Sequence, residues 1–194
     1  MGGKMKIRNR CKWVNLKNPV YIEYHDKEWG VPCHDEHMLY ELLILECFQA
    51  GLSWECVLNK RQGFREAFDN FNIDKVILYD ERKQEQLLAD TSIVRNKLKV
   101  KASITNSIIF RQIQQEFGSF EHYIWGFTDR KVIREDYSLR TTSPLSDKIS
   151  ADLRKRGMKF VGSTIIYSYL QAIGIIDGHG TECDCGKSGN IRTE

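Results

Sequence analysis

Cys11 and His25 near the start of the chain are answered by His179 and Cys183 near its end, with almost no other Cys/His pairing at ligand spacing between them. Two thiolates and two imidazoles make the closed tetrahedral set that zinc prefers in structural sites, with no open position for a reactive water. His179 and Cys183 stand one helical turn or a tight loop apart, whereas the step from Cys11 to His25 is looser than a finger's. Spacing alone therefore leaves two readings open: a zinc staple, or buried thiols with a hydrogen-bonded core histidine. Cys185 and His34 are spare ligand candidates, and Cys33, Cys47 and Cys56 read as reduced packing residues.

Glu46 suggests a second chemistry. Leu39, Leu42, Leu43, Glu46 and Ala50 fall on one helical stripe, so a carboxylate stands where the pattern wants an apolar side chain. Buried alone it suffers a desolvation cost and a raised pKa. It is either paired structurally or faces a cavity that receives a polar ligand. Trp13, Tyr21, Tyr24 and Trp29 precede it, and Trp54 follows. Such density is ordinary for a core, yet broad faces with polar handles beside a lone carboxylate are also what a planar heterocycle requires.

The elements that must position these residues read as helices almost throughout. Apolar spacing of three and four predicts helices over 35–51, 54–59, 63–68, 83–88, 95–117, 119–125, 146–156 and 163–173, and hence an all-α fold. Segment 129–144 is polar and non-periodic and reads as a long loop; the tail over 185–194 reads as mobile. With 194 residues and 41% hydrophobic content, the chain suits one domain with an ordered core over about 8–183. No secretory or membrane-spanning apolar run is present, so the six cysteines read as cytoplasmic thiols or metal ligands. Net charge is only +3, but Arg95, Lys97, Lys99 and Lys101 cluster, as do Arg154, Lys155, Arg156 and Lys159. Either group suits phosphates, and either suits a solvated helix face. Gly186-Lys187-Ser188 is not a phosphate loop, because Thr181 stands where the first glycine belongs.

Longer motifs narrow these choices. Tyr21-Ile22-Glu23-Tyr24-His25-Asp26-Lys27-Glu28-Trp29-Gly30-Val31-Pro32 closely resembles the 3-methyladenine DNA glycosylase I family. So do Leu45-Glu46-Cys47-Phe48-Gln49-Ala50-Gly51-Leu52-Ser53-Trp54, Ile93-Val94-Arg95-Asn96-Lys97 and Lys155-Arg156-Gly157-Met158-Lys159-Phe160-Val161-Gly162-Ser163-Thr164, before His179 and Cys183 close the match.

This resemblance implies a helix-hairpin-helix DNA glycosylase fold whose two ends are joined by one structural zinc on Cys11, His25, His179 and Cys183. It implies a monomeric enzyme that flips 3-methyladenine out of alkylated double-stranded DNA and hydrolyses its N-glycosidic bond, freeing the base as product. By position, Glu46 and Tyr24 would contact the base and Trp54 would stack on it. Trp13, Tyr21 and Trp29 would complete the aromatic wall, and Glu46 is the carboxylate nearest to a catalytic one. Arg95, Lys97 and Lys99 would supply charge to a DNA-anchoring hairpin near 89–97, although Thr91-Ser92 replaces the glycine usual there. The rival reading is a zinc-stapled DNA-binding protein of the same fold without glycosylase activity. A zinc hydrolase is weaker still, since four protein ligands leave no place for water.

Overall fold

The computed structural model describes residues 8–187. In chain order it contains α1 (Pro19–Lys27), α2 (Glu36–Gln49), α3 (Trp54–Leu58), α4 (Arg61–Ala67), α5 (Ile73–Val76), α6 (Glu81–Ala89), α7 (Lys97–Phe117) and α8 (Phe120–Gly126). There follow β1 (Ile133–Arg134), α9 (Pro144–Lys155), α10 (Ser163–Ala172), β2 (Ile176–Asp177) and α11 (Asp184–Lys187). The fold is mostly helical, as the periodicity requires, with one departure: β1 pairs in parallel with β2, Ile133 against Ile176. This short ladder fixes part of segment 129–144, which the sequence reads as loop.

Capping residues explain most boundaries. Asp35 accepts from the Met38 amide at 2.7 Å to start α2, and Asn96 accepts from the Lys99 amide at 3.1 Å to start α7. Ser143 and Ser146 form a reciprocal capping box at α9, with Pro144 at its first position. Helix α1 escapes the apolar pattern, but Asn18 and Pro19 are its start signal.

Helix α2 is the axis of the core, and it is not amphipathic. Every residue from Leu39 to Phe48 is buried, so the stripe read from the sequence is one face of a helix covered on all sides. Helices α7, α8 and α10 pack against it. The segment after α1 docks on α10 by backbone bonds from Gly30 to Gln171 O (2.9 Å) and from Cys33 to Ile173 O (3.0 Å). A Cβ at Gly174 would lie 2.2 Å from the Val31 carbonyl carbon, so only glycine permits that approach. The ends of the described chain meet as well: Asn9 N donates to Asp184 Oδ2 at 2.8 Å, and Asp184 N to Asn9 O at 2.9 Å.

Candidate active site

Helix α1 turns Tyr21, Tyr24 and His25 to one buried face, the spacing a helix uses to put residues side by side. Helix α2 delivers Glu46 from the core, and Ser53, capping α3 through the Cys56 amide at 3.2 Å, sets Trp54 at the first helical position. Tyr21, Tyr24, Glu46 and Trp54, with Trp13 and Trp29, line one cavity of about 250 Å3. Tyr24 and Trp54 lie 5.4 Å apart between ring centres, and Trp13 meets Tyr21 at 5.1 Å and Trp29 at 4.9 Å edge to face.

Glu46 is 3% exposed, and its Oε2 has no hydrogen-bond partner. Burial alone pushes its carboxyl up to about 8. Burial likewise raises Tyr21 to about 12 and holds Tyr24 well above the ordinary phenol range, with the Glu46 charge adding to both. The phenols therefore remain protonated donors. Trp54 Nε1 and Gln171 Nε2 are two more buried donors without partners, and both residues line the same cavity. Buried polar groups left unpaired cost ~1–3 kcal/mol each, so three around one cavity suit a site that takes ordered water or a polar ligand.

Beside the aromatic wall lies the Cys/His cluster. His25, His179, Cys183 and Cys185 offer ligand atoms all within 4.8 Å of one another and can hold a metal ion. His25 Nδ1 is 2.8 Å from Asp26 Oδ1, and His179 Nδ1 is 2.8 Å from Asp177 Oδ1. Each carboxylate thereby orients an imidazole and leaves its Nε2 for a metal, the arrangement usual around metal-bound histidines. His179 Nε2 is buried and without a partner, and Cys183 Sγ lies 3.6 Å from His25 Nε2. The donor set thus fits a thiophilic divalent cation. It differs in one member from the set expected, with Cys185 in the quartet in place of Cys11. Cys11 is buried alongside, its amide 3.4 Å from His25 Nε2 and its thiol interacting with Cys183. Trp29 stands 4.8 Å from the His179 ring and Trp13 5.3 Å from the His25 ring, so the indoles that wall the cavity also pack on the cluster.

The family profile described as methyladenine glycosylase matches residues 13–186. The chain belongs to that family. It is 41% identical over 180 residues to DNA-3-methyladenine glycosylase 1 of Escherichia coli K12, a match covering 91% of this chain and 96% of the relative. A crystal structure of 3-methyladenine DNA glycosylase I superposes with a TM-score of 0.87 at 40% identity, covering 91% of this chain and 99% of the other. A variant of 3-methyladenine DNA glycosylase I in complex with 3-methyladenine superposes with a TM-score of 0.83 at 34% identity, over 87% and 93% of the two chains.

Segment 89–97, where a DNA-anchoring hairpin is expected, is the turn from α6 into α7. Thr91 and Ser92 need no glycine, since neither has a positive φ. The close approach is made from the other side, where a Cβ at Gly63 would fall 2.7 Å from both Cβ and O of Ser92. Arg95 and Lys97 are exposed on the turn. Lys99 corrects the expectation: it is 7% exposed, and its ammonium donates to Phe48 O at 2.7 Å and Ala50 O at 2.6 Å. It satisfies the carbonyl end of α2 instead of facing phosphate. In the second basic cluster, Arg156 is paired with Glu116 at 2.5 Å and Asp152 at 2.7 Å. The tail expected to be mobile forms the short α11 through residue 187; the remainder lies outside the described residues.

Sequence reasoning missed Gln171, Tyr137, Arg140 and Thr141, which also line the cavity. Gln171 carried the same signal as Glu46, a polar side chain within an apolar helix. Nothing local marked the other three, because the β1–β2 ladder that places their loop joins distant parts of the chain.

Proposed function

We propose that this protein flips 3-methyladenine from alkylated double-stranded DNA into the aromatic cavity and hydrolyses its N-glycosidic bond, leaving an abasic site. The observation that carries this reading is the buried, partnerless carboxylate of Glu46 at a cavity walled by indoles and phenols. Methylation at N3 makes the base a cation. When the C1′–N9 bond breaks, its electron pair passes to N9 and neutralises the ring; a water oxygen adds to C1′ and its proton leaves to solvent. The leaving group is already activated, so recognition supplies much of the selectivity. Stacking on Trp54 contributes ~1–3 kcal/mol to any flat base. The positive charge of the entering base lowers the Glu46 pKa so that its proton is lost to solvent, and the anion then accepts from the exocyclic amine by a charge-assisted bond in a dry site. Tyr24 lies beside that contact, and Trp13, Tyr21 and Trp29 exclude water.

In this reading the whole chain is one monomeric, cytoplasmic glycosylase domain, and the α6–α7 turn is a helix-hairpin-helix anchor. Amide groups at the start of α7 face a DNA phosphate, with Arg95 and Lys97 adding charge. Support comes from the exposure of both cations and from six cysteines that form no disulfide. Among the described residues, no helix is long and apolar enough to cross a membrane.

The Cys/His cluster is read as one structural zinc. His25, His179 and Cys183 are common to the set implied by resemblance and the set found by geometry; the fourth thiolate is Cys11 in the first and Cys185 in the second. Zinc stoichiometry of Cys11→Ser and Cys185→Ser identifies it, since only loss of the true ligand lowers the metal content. Zinc-free folded protein from a chelator-free preparation would remove the metal from this reading.

The test of function is chromatography of bases freed from N-methylated DNA. Release of 3-methyladenine much faster than 7-methylguanine is expected, because guanine O6 sets an acceptor against the Glu46 carboxylate. Binding of methylated DNA without base release would favour a non-catalytic DNA-binding protein.

A further inference from the structure

Gln171 sits on α10, whose buried face is otherwise aliphatic and aromatic. It is 8% exposed and lines the cavity, and its Nε2 has no hydrogen-bond partner. Its position is fixed from both sides. The Gln171 backbone carbonyl accepts from Gly30 N at 2.9 Å and from Gly174 N at 3.2 Å. The side-chain amide lies in a notch that exists only because residue 178 is glycine. A Cβ there would fall 2.7 Å from Gln171 Nε2 and 2.9 Å from Trp29 Cζ2 and Cη2. An amide held this firmly, with its donor unanswered, is kept for something that enters the cavity.

We propose that Gln171 is a specificity-determining residue, donating from Nε2 to an acceptor ring nitrogen of the flipped base while Glu46 accepts from the exocyclic amine. This rests on reading the cavity as a base pocket. Adenine presents a donor amine beside the acceptor N7 on one edge and the acceptor N1 on the other. An acceptor carboxylate and a donor amide in one cavity match that alternation. A base methylated at N7 has lost one of those acceptors, and guanine replaces the exocyclic donor by O6. Such ligands leave the amide, the carboxylate or both unpaired, which buried sites reject more strongly than a change of shape.

The experiment measures binding of free 3-methyladenine, 3-methyl-7-deazaadenine and 3-methyl-1-deazaadenine to the full chain and to Gln171→Leu and Gln171→Glu. Thermal midpoints are recorded alongside. Gln171→Leu is expected to weaken 3-methyladenine about tenfold, with the midpoint of the free protein unchanged or higher, because an unpaired donor has been removed. One deaza analogue, the one lacking the contacted nitrogen, should bind the full chain and Gln171→Leu equally. Gln171→Glu, which sets acceptor against acceptor, should bind 3-methyladenine more weakly than Gln171→Leu. Equal 3-methyladenine affinity in all three proteins overturns the proposal, as does a loss in Gln171→Leu of the same size for every analogue. If the unaltered protein bound no 3-methyladenine at all, the base-pocket reading itself would fall.

Discussion

Toward its N-terminus α2 buries Glu41 among guanidinium groups, and toward its C-terminus it buries Glu46 among aromatic rings. Glu41 is wholly covered and fully answered. Arg61 Nε donates to Oε1 at 2.5 Å, and Arg65 donates at 3.0 Å to Oε2 and 2.8 Å to Oε1. Arg61 reaches on to Glu28 at 2.7 Å, tying the end of α1 to α4 through the core helix. Glu46 has comparable burial and no such partner at Oε2. Burial alone therefore does not distinguish a structural carboxylate from a ligand-seeking one. The distinction lies in which donors surround it, and only the second leaves a free energy cost that a cationic ligand can relieve.

The largest test of this contrast is Glu41→Leu. Leaving two guanidinium groups without their shared carboxylate is expected to lower stability by about 3 kcal/mol, read by urea denaturation, because breaking a buried ion pair on one side strands the other. Glu46→Gln should behave in the opposite way. A carboxyl raised from 4.5 to about 8 keeps its proton in the folded chain where the unfolded chain has lost it. The stability this gives is complete below about 4.5 and disappears as pH climbs through about 8. Against unaltered protein, Glu46→Gln should therefore gain relative stability with rising pH, by up to about 1 kcal/mol per pH unit within that window, while 3-methyladenine binding weakens. Parallel pH profiles for the two proteins would show that Glu46 has a partner after all.

Smaller effects separate the two lysines near the Glu46 end. Lys99→Met removes charged donors from Phe48 O and Ala50 O and should cost about 1–2 kcal/mol of stability with little change in salt dependence. Lys97→Met should leave stability within about 0.5 kcal/mol but reduce the salt slope of DNA binding by about one. Exchange of these two phenotypes would place Lys99, not Lys97, at the DNA.

Much of this could be read from the chain. Periodicity and the anomalous position of Glu46 located α2, α7, α9 and α10, and resemblance brought together six of the side chains that line the cavity. Glu41 escaped notice because an amphipathic stripe assumes a solvent side, and α2 has none between Leu39 and Phe48. Lys99 misled for a related reason: a cation in a basic run looks solvated until the carbonyl end of another helix arrives beside it. Cys185 reads as a spare ligand from spacing, which says nothing of how α11 folds back to bring it near His25, His179 and Cys183. Segment 129–144 was opaque because its order comes from pairing with β2, which no local pattern encodes.

The meeting of Asn9 with Asp184 joins positions 175 apart in sequence. A chain is made from its N-terminus, so the wall of the base pocket that carries Trp13, Tyr21, Tyr24 and Trp29 emerges first and has nothing to close against. Gln171, β2, His179 and Cys183 emerge only after α2 to α9 have been made. Bringing the ends together that late costs little extra, since loop-closure entropy grows only slowly with length. Its consequence is temporal: no partly synthesised chain presents a finished pocket. A nascent chain stalled before residue 171 is accordingly expected to retain no 3-methyladenine, and the capacity should appear abruptly once the last helical turn is free of the ribosome.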